Sequence, residues 1–158
     1  MADDVTLTEN RFDPSEEYSS FASALIGEGA IATCTGIART ASIDGAAVHS
    51  LFLDHHPRLT LKSMQAIANE AYDRFDVARL RIVHRYGEVL AGDAIVFVAA
   101  AALHRRAALQ SVDYMMDRLK SEAMFWKKEI RDEGGQWIEP TEEDRLALAR
   151  WDGDNGGD

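Results

Sequence analysis

Hydrophobic positions along the chain change their period several times, and each change marks an element. Tyr18, Phe21, Ala22 and Leu25 recur at helical spacing behind Asp13-Pro14-Ser15-Glu16, which reads as a helix start. Asp13 serves as N-cap, Pro14 takes the first helical position and Glu16 closes a capping box. This predicts a first helix running to about Ile26, stopped by Gly27 and Gly29. Leu61, Met64, Ile67, Ala68, Ala71 and Phe75 keep a 3.6-residue period and predict a second helix over 60–75. Ala108, Leu109, Val112, Met116 and Leu119 line one side of a third, which starts at Arg105 and carries Lys120 in its last turn. Residues 142–151 predict a short fourth.

Between the helices the pattern is that of strands. Residues 5–8 form a short first one, and 30–35 are a β-rich run ending at Gly36. Asp44-Gly45 marks a turn before a strand over 47–54. Leu80, Ile82 and His84 alternate with Arg79, Arg81 and Val83, as in a half-exposed strand, whereas 94–99 are apolar on both faces and predict a central one. Over 125–131, Phe125, Lys127 and Glu129 fall on one side and Trp126, Lys128 and Ile130 on the other; Gly134-Gly135 then turns the chain into 136–138. The order of elements implies an α+β fold, helices packed on a mostly antiparallel sheet and a C-terminal hairpin, in one domain over 1–151 followed by a disordered acidic tail at 152–158.

Composition narrows the classes. A chain of 158 residues, 46% hydrophobic, suffices for one domain with its own core. The longest apolar run, 94–103, is too short to cross a bilayer, and the acidic N-terminus lacks a secretory pattern, so a cytoplasmic protein is expected. Cys34 has no partner for a disulfide and lies in an apolar stretch, as a small buried residue would. His49, His55 and His56 show no ligand spacing, so neither metal nor cofactor is expected. The net charge is −10, with seven acids against one base over 1–29 and nine against two over 132–158. That distribution argues against nucleic acid as a partner, because binding phosphates needs a broad basic face.

One stretch runs against the prevailing sign. From Arg105 to Arg131 there are seven Lys or Arg and four Asp or Glu, a local balance of +3, and cations gathered in this way suit a site for a small anion. If the third helix ends near Ser121 and the chain returns as a strand, Lys120 and Lys127 converge on a pocket that His104 and Arg105 reach from the helix start. A helix N-terminus favours phosphate, Arg105 can grip it bidentately, and a partly desolvated lysine can act as nucleophile, acid or anion stabiliser. Arg39 stands at a strand end or in a loop. The same residues also fit a plainer reading: Lys120 complements its helix dipole, and Lys127 and Lys128 protect an edge strand. On the residues alone both readings stay open.

Longer motifs carry a resemblance. Thr35-Gly36-Ile37-Ala38-Arg39, His84-Arg85-Tyr86-Gly87-Glu88, Gly92-Asp93, His104-Arg105-Arg106-Ala107-Ala108, Leu119-Lys120, Phe125-Trp126-Lys127-Lys128-Glu129 and Trp137-Ile138-Glu139-Pro140 occur in this order over nearly the whole chain. Together they closely resemble the large, catalytic subunit of molybdopterin synthase. The resemblance implies a sulfurtransferase that converts cyclic pyranopterin monophosphate to molybdopterin. Its sulfur would come from the C-terminal Gly-Gly thiocarboxylate of a small ubiquitin-like partner subunit, and its large subunit would form the homodimer at the centre of a heterotetramer. Carried over by motif, Lys120 and Lys127 are the catalytic lysines, and Arg39, His104 and Arg105 bind the substrate phosphate or the partner's tail. Cys34, Ala102-Leu103, Arg118 and Met124 depart from the family pattern and bear on the pocket's shape, with Arg118 adding to its positive field. The alternative is a non-catalytic α+β anion-binding or scaffold protein that would tolerate loss of either lysine.

Overall fold

The computed structural model describes residues 4–153. Its elements follow in the order β1 (Val5–Thr8), α1 (Pro14–Ser23), β2 (Ala30–Ile37), β3 (Ser50–His55), α2 (Leu59–Arg74), β4 (Arg79–Arg85), β5 (Gly87–Leu90), β6 (Ala94–Ala102), α3 (Arg105–Ser121), β7 (Phe125–Arg131), β8 (Gly134–Ile138) and α4 (Glu142–Ala149). The fold is α+β. In place of one sheet there are two, each of four strands, ordered β1-β4-β6-β2 and β5-β3-β7-β8. Every pairing is antiparallel except β1 with β4.

The first sheet is covered on both faces. Leu80, Ile82, Val98 and Ala100 meet Met64, Ile67 and Ala71 of α2 and Ala108, Val112 and Met115 of α3, whereas Val83, Phe97, Ala99 and Ala101 meet Phe21 of α1. Alanines at 99–102 leave room for helices close on either side, which is why β6 is buried along nearly its whole length. The half-exposed reading of 79–84 fails from Val83 onward: β4 lies between β1 and β6, and Val83, His84 and Arg85 are all buried. The second sheet has a smaller core, Leu51, Leu53 and Val89 packed with Ala38 and Ile95.

Local chemistry sets the ends of the elements. Asp13 caps α1 by accepting the Ser15 N–H at 2.7 Å, but the reciprocal bond expected of Glu16 is not among those of the described residues. The helix stops three residues short of Ile26, which is left almost fully exposed with nothing to pack against. A complete capping box instead opens α4, where the Thr141 hydroxyl accepts the Asp144 N–H and the Asp144 carboxylate accepts the Thr141 N–H. Gly45 takes φ +85° in the expected Asp44-Gly45 turn, and the Gly29 Cα lies so near Leu103 that a Cβ would sit 2.4 Å from its carbonyl oxygen. β5 was not expected. Its four residues begin at Gly87, whose φ is +76°.

After α4, residues 151–153 form a turn in which Trp151 is buried edge-on to Phe75 and Tyr114, while its Nε1–H donates to Asp117 at 2.7 Å. Residues 152 and 153 of the expected tail belong to this turn, and 154–158 lie outside the described residues. Among the described residues no helix is long and apolar enough to cross a membrane.

Candidate active site

The site is built where α3 ends and β7 begins. Helix α3 closes at Ser121, three residues turn the chain, and the Thr60 hydroxyl pins the turn by donating to the Met124 carbonyl at 2.7 Å. The reversal brings Lys120, on the last helical turn, to Lys127 on β7, so that each charge acts on the other. Lys127 is half-buried, placed in register between Leu53 of β3, which is fully buried, and Ile138 of β8. Phe125 shares its face of β7. These apolar neighbours remove water from the amine. Burial is accordingly the main cause that holds the Lys127 pKa below the ordinary lysine value; the Lys120 charge and that of Arg39 push the same way, and Asp144 opposes them.

The third cation comes from the loop after β2. Ala38 is anchored by exchanging hydrogen bonds with Asp93 and Gly92, which leaves Arg39 exposed beside the lysines. From the other side α4 contributes a carboxylate: Asp144 Oδ1 lies 3.5 Å from Lys120 Nζ, in a pair whose lysine is about half exposed and whose strength is correspondingly modest. Thus Arg39, Lys120 and Lys127 are brought together with one acidic neighbour. In a chain of net charge −10 this gathers three cations around one partly desolvated amine.

His104 and Arg105 are elsewhere. They form the N-cap and first residue of α3 and, with Gly29, Leu103 and Arg106, line an open depression of about 470 Å³. Lys120 lies fifteen helical steps beyond Arg105 on an unbroken helix, about 22 Å at 1.5 Å per residue. The expected convergence of His104 and Arg105 with the two lysines therefore does not occur within one protomer. Arg118 does not add to the lysines' field either: it bonds Tyr114 at 3.1 Å and pairs with Glu122 and Glu70. Cys34 is half-buried against the core under α2 and α3. Among the described residues no three His, Cys, Asp or Glu side chains gather as a metal ion would require.

Two residues of the site escaped the sequence reading. Asp144 looked like an ordinary acid in a helical first turn, and nothing in its neighbours pointed to Lys120. His84 looked like one member of an alternating strand. It is buried, stacked on the Phe125 ring with centroids 4.0 Å apart and planes 17° from parallel, and burial chiefly lowers its pKa to about 4, with the Lys127 charge lowering it further. The two-residue spacing that puts Phe125 and Lys127 on one face of β7 was the available signal, and it did not reveal His84.

Known proteins match this chain over nearly its full length. A catalytic subunit of molybdopterin synthase from Caulobacter vibrioides is 46% identical over 148 residues, covering 94% of this chain and 97% of that protein. One from Pseudomonas aeruginosa is 38% identical over 148 residues, covering 94% and 98%. Among solved structures, a molybdopterin biosynthesis MoaE protein from Burkholderia ambifaria superposes with a TM-score of 0.77 at 37% identity, covering 94% of this chain and 97% of its own. The family model described as MoaE protein matches residues 7–122. The chain belongs to the MoaE family.

Proposed function

We propose that this protein is the catalytic subunit of a molybdopterin synthase, a sulfurtransferase of molybdenum cofactor biosynthesis that moves sulfur from the C-terminal thiocarboxylate of a small ubiquitin-like partner subunit to cyclic pyranopterin monophosphate. Family membership supports the reaction, and one observation supports the site: Arg39, Lys120 and Lys127 gather in a chain of net charge −10, with burial holding the Lys127 pKa below the ordinary lysine value. The reaction must bring two anions together, a phosphate and a thiocarboxylate. Two unit charges 4 Å apart repel by about 4 kcal/mol at an effective dielectric constant near 20, and a set of cations offsets that repulsion. Lys127, with its lowered basicity, is the amine best suited to attack an acyl carbon or accept a proton, with Lys120 and Arg39 beside it to hold the anions.

His104 and Arg105 fit the phosphate by chemistry, since they stand at a helix N-terminus, but not by distance from the lysines of their own chain. In the homodimer a second protomer can bring its His104 and Arg105 to the lysine pair, and the partner subunits complete the heterotetramer. The outer face of the second sheet supports assembly, because Phe52, Trp126 and Trp137 are all exposed there. The test is reconstitution with thiocarboxylated partner and pterin substrate, following dithiolene product. Lys120→Ala and Lys127→Ala should each abolish turnover while the fold and partner binding persist. Full activity in both variants would remove the two lysines from the catalytic machinery, and a wild-type protein that yields no product would be an anion-binding or scaffold protein instead.

A further inference from the structure

The ladder between β3 and β7 ends with a side chain in place of a rung. Its last pair is His55 with Phe125, and one position further the register sets His56 opposite Met124. Between these two stands the Thr60 hydroxyl, which accepts the His56 N–H at 2.9 Å and donates to the Met124 carbonyl at 2.7 Å. The direction is fixed: an amide N–H can only donate and a carbonyl can only accept, so the hydroxyl proton points at Met124. Thr60 is fully buried and screened from water. The His56 end is held in turn, because its Nδ1 accepts the Arg58 and Leu59 N–H groups at the start of α2, at 3.3 and 3.1 Å.

What this bond fixes follows from the place of Met124 in the chain. It is the last residue of the turn between α3 and β7, after Lys120 and three residues before Lys127, about 10 Å along the strand. Two backbone bonds, Glu122 N–H to the Arg118 carbonyl at 2.7 Å and Phe125 N–H to the Ala123 carbonyl at 2.8 Å, close the turn on itself. The Thr60 hydroxyl ties it to another element, α2. We infer that Thr60 is a positioning residue for the lysine pair, its hydroxyl setting where β7 leaves the turn and hence how closely Lys127 faces Lys120. For its effect on turnover the inference rests on the function proposed above; the geometry stands apart from it.

Two variants separate positioning from packing. Thr60→Val fills nearly the same space without the hydroxyl, and Thr60→Ser keeps the hydroxyl without the methyl group. In the reconstituted reaction Thr60→Val should lower kcat about tenfold or more with KM within about twofold, since a reacting group misplaced by about 1 Å can lose about 100-fold; Thr60→Ser should retain about a third of kcat or more. A second readout needs no substrate. In protein labelled with 13C at the lysine ε-carbon, Lys120→Ala should raise the Lys127 midpoint less than about half as far in the Thr60→Val background as in the wild type, because two like charges released from their tether move apart and repel less. Wild-type kcat or undiminished coupling in Thr60→Val, or Thr60→Ser no better than Thr60→Val, overturns the inference. Near-UV circular dichroism checks each fold; should Thr60→Val fail to fold, Thr60→Cys, whose thiol is a weak donor, takes its place with the same expectations and the same refutations. If the wild type yields no product, or Lys120→Ala and Lys127→Ala both turn over fully, the proposed role of the lysines falls and the coupling alone decides for Thr60.

Discussion

Lowering the pH from 7 to 4.5 should take about 2–3 kcal/mol of stability from the wild-type protein that a His84→Gln variant does not lose. His84 is buried and neutral, with a pKa of about 4 against the ordinary 6.5, and desolvation is the main cause. The depressed value means that between pH 6.5 and 4 the unfolded chain binds a proton that the folded chain refuses. Stability therefore falls as the pH drops through that window, by about 1.4 kcal/mol for each unit of pKa difference once the window has been crossed. Stopping at pH 4.5 captures most of it. Carboxylates titrating in the same range contribute equally to both proteins, so the difference between the two isolates the histidine. Urea unfolding followed by tryptophan fluorescence at several pH values measures it, provided both proteins unfold in a single transition with similar m-values. Parallel stability curves between pH 7 and 4.5 would show that His84 takes up its proton as readily in the folded protein as in the unfolded chain, and the account of a buried, neutral His84 would be wrong.

Two other perturbations follow from the same geometry. Asp144→Asn keeps an acceptor for the α4 cap but removes the charge facing Lys120, so calorimetry with inorganic phosphate should show affinity for the lysine site rising severalfold, and unchanged or weaker binding would remove Asp144 from the site. Asp93→Ala takes the carboxylate from beside the buried Arg85 guanidinium, at 3.7 Å, and also from Arg11; stranding Arg85 in this way should cost about 3–5 kcal/mol, read as a large fall in urea midpoint, whereas a loss under 1 kcal/mol would mean that Arg85 is solvated.

Much of this molecule was legible before its structure. Helical period located α1, α2 and α3, and the alternation at 125–131 assigned Lys127 to the face of Phe125, because both signals are local. Pairing is not local. Period 2 says which residues share a face but not which strand lies alongside, so the division into two sheets and the parallel match of β1 with β4 could not be read. β5 is too short, at four residues, to carry a pattern against the turn residues around it. In the site, the break after Ser121 was enough to join Lys120 to Lys127. Asp144 and His84 reach the site only through tertiary packing, one across α3 and the other from the neighbouring sheet. The separation of Arg105 from Lys120 was different: it was available from helix length alone, and the convergence expected at both ends of one helix ignored it.

The central claim is that Lys127 carries an amine made less basic by its surroundings. The chain has four lysines, Lys62, Lys120, Lys127 and Lys128, so protein labelled with 13C at the lysine ε-carbon gives a spectrum that single Lys→Arg variants can assign. Titration should place the Lys127 midpoint below the ordinary 10.5, and Lys120→Ala should move it upward, because a repelling cation has gone. A Lys127 midpoint at or above 10.5, unmoved by Lys120→Ala, would contradict the account.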